Sequence, residues 1–75
     1  MIFVSIKTIG FLKSYHPGTT DLSVVPGTSL RQVITSLNIP VDLVAMVLVN
    51  DRQEQKDYLL KNGDKVQLIA VLGGG

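Results

Sequence analysis

The stretch Thr28–Pro40, TSLRQVITSLNIP, is where the sequence changes period. Its apolar residues Leu30, Val33, Ile34 and Leu37 fall at i, i+3, i+4 and i+7, one stripe of an α-helix. Ser29 stands just before that stripe and Gln32 three residues on. This is the spacing of a capping box, in which the Ser hydroxyl accepts from the Gln32 amide and the Gln side chain reaches back. Pro40 closes the helical region, because the residue before a proline avoids the α conformation. The segments on either side read mainly as strands and turns, so this helix decides the fold class.

Upstream, residues 2–9 are rich in β-branched side chains and read as a strand. FLKSYHPG follows, with Pro17-Gly18 as a turn signal, and a second strand covers about 19–25 before Pro26-Gly27. The two should form an antiparallel hairpin. Downstream, LVAMVLVN (43–50) is a near-continuous apolar run, expected to be a central, well-covered strand. Asn50-Asp51 is a turn signal, since both residues tolerate positive φ. Residues 52–57 suit a short edge strand, Tyr58–Leu60 a single helical turn, Asn62-Gly63 a tight turn, and 65–71 the last strand.

One helix cannot cover a sheet on both faces. The fold class is therefore α+β: a mixed sheet of four to five strands with one main helix packed on one face. The first and last strands, apolar on both faces, belong side by side at its centre. Alternation sends Val4, Ile6, Val47, Val49, Val66 and Leu68 toward the helix. Phe3, Met46, Leu48, Ile69 and Val71 then point to the other face. Phe3, Met46, Leu48, Ile69 and Leu72, the last at the root of the tail, are the candidate partner-docking residues, because an exposed apolar patch marks an interaction surface.

Composition narrows the chemistry. Seventy-five residues make one small domain with a modest core. The chain has no cysteine and a single histidine, His16, which reads as a solvated loop residue. A thiolate nucleophile, a disulfide and a histidine metal cluster are all excluded. The missing cysteine fits a reducing, cytoplasmic setting. A net charge of +1 gives no field that argues for nucleic acid or a membrane surface. With four aromatics and no tryptophan, base-stacking platforms are not expected. Residues 51–65 hold eight charges of both signs, the pattern of a solvated edge. The alternative is that Arg52, Lys61 and Lys65 pair with acidic partner residues.

Three stretches together resemble the ThiS/MoaD sulfur-carrier family, which has the ubiquitin-like β-grasp fold. They are the capped helix in PGTSLRQVITSL, the run LVNDRQEQKDYLLKNGDKVQLI, and the glycines Gly73, Gly74 and Gly75. The middle run holds the motif Leu60-Lys61-Asn62-Gly63-Asp64-Lys65-Val66. The branch within the family stays open. IAVLGGG lacks the Phe-Pro-Pro element of the MoaD branch, whereas the length and the FLKSYHPG connection look more like MoaD. Asn50-Asp51 stands where the family more often has Asn-Gly.

The resemblance implies a carrier with no catalytic residue of its own, no metal and no bound cofactor. Residues 1–72 would form the β-grasp domain and 73–75 a flexible tail. Gly75 would be the carboxylate that is adenylated and converted to a thiocarboxylate, while Gly73 and Gly74 thread into the partner. ATP would be used by that partner, an adenylating enzyme of the ubiquitin-activating type. A downstream sulfur-accepting synthase of molybdopterin or thiazole (thiamine) type would follow. Two other readings use the same residues. One is a ubiquitin-like modifier conjugated through Gly75; the other is a β-grasp interaction module without C-terminal chemistry.

Overall fold

The computed structural model describes residues 1–16 and 18–70. Five strands form one sheet: β1 (Ile2–Ile9), β2 (Thr19–Val24), β3 (Val44–Val49), β4 (Arg52–Glu54) and β5 (Lys65–Ala70). Their order is β2-β1-β5-β3-β4. The central pair β1 and β5 is parallel and the other pairings are antiparallel, so the sheet is mixed. The helix α1 (Leu30–Ser36) packs on one face. This is the β-grasp arrangement, with the first and last strands at the centre as expected.

The capping box is present. The Gln32 amide donates to Ser29 Oγ at 3.2 Å, and the Ser29 amide donates to Gln32 Oε1 at 2.8 Å. The next two free amides of the helix are taken from outside it: Leu30 N–H donates to Tyr58 O and Arg31 N–H to Lys56 O. No amide of the first turn is thereby left without an acceptor. The helix stops at Ser36, earlier than Pro40 requires, because Asn38 turns into the left-handed region (φ 62).

The inward side chains are those that alternation selects. Val4, Ile6, Val47, Val49, Val66 and Leu68 are all buried, with Leu30, Val33 and Ile34 of the helix above them. Leu37, the last residue of the helical stripe, is only partly buried. The core also takes Leu12, Ile39, Val44, Leu60 and Ala70. Val44 and Val47 both face inward although their spacing is odd. A register shift between Val44 and Met46 makes this possible, since a bulge adds one residue to one strand.

Three local expectations need correction. Tyr58–Leu60 is not a helical turn. Its backbone is extended and pairs with the start of the helix, through Leu60 N–H to Thr28 O and the Ser29–Leu59 bridge. The strand at 43–50 is covered on one face only; Ala45 and Met46 are exposed, and residues 41–43 form a 3₁₀ turn. His16 is not simply solvated. It is half-buried, its Nε2 is hydrogen-bonded to Thr20 Oγ1, and its carbonyl accepts from Thr8 Oγ1 at 2.6 Å. The buried Thr8 is satisfied in this way.

Candidate functional site

The face of the sheet away from α1 is built in cross-strand rows. Ile9, Ile69 and Met46 form the row nearest the end of β5. The next row runs Thr19, Lys7, Gln67, Leu48, Gln53. Beyond it lie Asp21, Ser5 and Lys65, and last Ser23 and Phe3. Met46, Leu48 and Ile69 of the expected docking set thus meet at one end of the face. Phe3 does not join them. It lies six positions from Ile9 along β1, about 20 Å at strand spacing, with polar rows between. Phe3 is nonetheless 64% exposed, an isolated apolar side chain at the far end.

Ile9 completes the apolar group and was absent from the sequence-based set. The signal existed, since Ile9 shares the parity of Phe3 in a strand read as 2–9. Gly10 then takes φ +77, and a Cβ there would lie 3.8 Å from Ala70 Cβ. The chain thereby turns into the 3₁₀ segment Gly10–Ser14. That segment packs on β5 through the buried Leu12 and leaves Phe11 exposed, as is the following Tyr15.

The apolar row sits where β5 runs toward the tail. Gly75 follows Ile69 by six positions in the sequence. Val71, Leu72, Gly73, Gly74 and Gly75 themselves lie outside the described residues.

At the opposite end of the sheet, the motif of residues 60–66 closes on a buried carboxylate. Asp64 is 4% exposed and accepts three hydrogen bonds: from Asn50 Nδ2 (3.0 Å), Tyr58 Oη (3.0 Å) and Lys61 N (2.8 Å). Asn50 Oδ1 in turn accepts from the Lys65 amide at 3.0 Å. The Asp64 backbone joins the same knot, its carbonyl accepting from Ser5 N–H. Partial burial, and then the hydrogen bond to Asp64, raise the Tyr58 hydroxyl above its ordinary pKa of 10.0. Gly63 supplies the required positive φ (+88), and Leu60 and Val66 fill the core on either side. This motif therefore holds the fold. Asp64 also departs from the solvated edge expected for residues 51–65.

Among the described residues, no group of three or more His, Cys, Asp or Glu side chains is placed to hold a metal ion. No helix among them is long and apolar enough to cross a membrane. What the arrangement offers among the described residues is an apolar row on the open face of the sheet, near the end of β5.

The model of the ThiS family matches residues 10–75. No curated protein is significantly similar in sequence. Among solved structures, small archaeal modifier protein 1 of Haloferax volcanii superposes with a TM-score of 0.77 at 14% identity, covering 96% of this chain and 100% of that one. Urm1 of Trypanosoma brucei gives 0.72 at 24% identity, covering 97% and 95%. A chain from the complex of subunits 1 and 2 of the Helicobacter pylori molybdopterin-converting factor gives 0.64 at 19%, covering 99% and 100%.

Proposed function

The chain belongs to the ThiS family, and from that premise we propose that it is a sulfur carrier activated at Gly75. The observation that carries this reading is the extent of the family match, which runs through Gly73, Gly74 and Gly75. In the proposed reaction a Gly75 carboxylate oxygen attacks the α-phosphorus of ATP and pyrophosphate leaves. A sulfide-level sulfur donor then attacks the acyl carbon and AMP leaves, which yields the thiocarboxylate. Both steps take place on an adenylating enzyme of the ubiquitin-activating type. The carrier supplies the acyl group and the means of placing it.

Ile9, Met46 and Ile69, with Leu48 in the next row, are the proposed docking surface for that enzyme. Glycines at 73–75 suit threading, because without a Cβ they accept whatever backbone angles the partner's channel imposes. The superposition on a chain from a two-subunit molybdopterin-converting complex favours a downstream synthase as second partner. The acceptor is then of molybdopterin or thiazole type, in a cytoplasmic cofactor pathway.

ATP–pyrophosphate exchange with the adenylating enzyme of the same cells tests the reading. Deleting Gly75 shortens the reach by about 3.3–3.6 Å. Reacting atoms must come within about 3–3.5 Å, so exchange should be lost while the melting temperature holds. Full exchange from the deletion variant would show that this carboxylate is not the site.

A further inference from the structure

Beside the apolar row, the outer face carries two lysines that belong to no ion pair among the described residues. Lys7 faces Gln67 across the sheet, and Lys65 faces Ser5 one row further on. Strand spacings place the two side-chain bases about 8 Å apart on one diagonal. The one ion pair among the described residues, Arg31 with Asp57 at 3.5 Å, lies elsewhere. The carboxylates are distributed unevenly. Asp42 lies in the 3₁₀ turn Val41–Leu43, Asp51 in the turn before β4, and Asp57 by the helix. Glu54 is opposite the inward-facing Val47, and Asp64 is buried. Asp21 alone stands on the outer face, at its β2 edge opposite Ser5. Two like charges are thus held close together on an open sheet face that carries one carboxylate, Asp21 at the β2 edge, and the nearer of the two lysines stands next to the apolar row.

We infer that Lys7 and Lys65 are a recognition pair for carboxylates on the adenylating partner, whose contact surface sets an apolar patch beside an acidic one. This inference rests on the docking role proposed above and names the chemistry of the surface that covers it. The apolar row supplies contact area, and the lysines orient and speed the encounter. Charges at the rim of an interface act mainly on association rate and on its salt dependence.

The test is pyrophosphate exchange measured against carrier concentration at low and at physiological salt, using the full chain and the adenylating enzyme of the same cells. The double variant Lys7→Glu/Lys65→Glu should lower kcat/KM about tenfold or more at low salt, with kcat unchanged. It should also lose the wild type's decline with salt. Lys7→Gln/Lys65→Gln should fall between the two. Arg31→Glu, on the helix, should behave as wild type. All are checked for unchanged melting. Charge-reversed carrier that matches wild type in kcat/KM and in salt slope overturns the inference and leaves the proposed function standing. Wild-type carrier that supports no exchange overturns both.

Discussion

Asp64 ties together segments that are far apart in the chain: the Asn50 turn, Tyr58, the Lys61 amide and, through its own carbonyl, the middle of β1. Asp64→Ala leaves three donors without their acceptor. An unsatisfied donor costs about 1–3 kcal/mol, and water at the sheet end offsets part of that. A net loss of about 2–4 kcal/mol should lower the melting temperature by about 10 °C or more. The same contact predicts a pH effect. Because the folded state raises the Tyr58 pKa above 10.0, the stability linked to the neutral hydroxyl is fully present below pH 10. It is lost as pH rises through the folded value. Wild-type melting should therefore fall more steeply above pH 10 than that of Tyr58→Phe; parallel profiles would remove Tyr58 from the account. Asp64 is also where residue-level reading of the sequence stopped short. Nothing in a run of alternating charges distinguishes a buried acceptor from its solvated neighbours. That distinction comes from Gly63 and Leu60 turning one carboxylate inward. Asn50 and Asp51 were legible, because both do take positive φ (52 and 69).

The helix and its cap were legible in the sequence because their signals are local. A four-residue stripe and a Ser-x-x-Gln spacing need no knowledge of the rest of the chain. The Tyr58–Leu60 segment was not, since its backbone partners lie at Thr28–Leu30, roughly thirty residues away. Local propensity favoured a turn of helix there, and tertiary pairing overrode it. Strand parity held for the six inward residues, and the bulge ahead of Met46 shifted register without disturbing them. Burial divides the helix stripe. Leu30 is fully buried and Leu37 only partly so. Leu30→Ala should cost about 2–5 kcal/mol, and Leu37→Ala less. Denaturant midpoints for the two variants check the order; equal losses would mean that the cap end and the far end of the helix are packed alike.

At the scale of the whole molecule, the two faces of the sheet differ. One face is closed by α1, and the other presents the row Ile9, Ile69, Met46 with Leu48 next to it. Sequence alternation placed three of these four correctly on that face. It also grouped Phe3 with them, because parity reports the face of a sheet and not the position along it. The distance between Phe3 and Ile69 is a property of register, which pairing across strands sets. If Gly75 is activated as proposed, its carboxylate becomes a thiocarboxylate. The most direct measurement is the intact mass of the chain after incubation with the adenylating enzyme of its own cells, ATP and a sulfur donor. The expected result is a gain equal to the exchange of one oxygen for one sulfur, mapped by fragmentation to Gly75 and absent without ATP. An unchanged mass in a reaction where that enzyme is otherwise active, or a mass gain mapped away from Gly75, would contradict it.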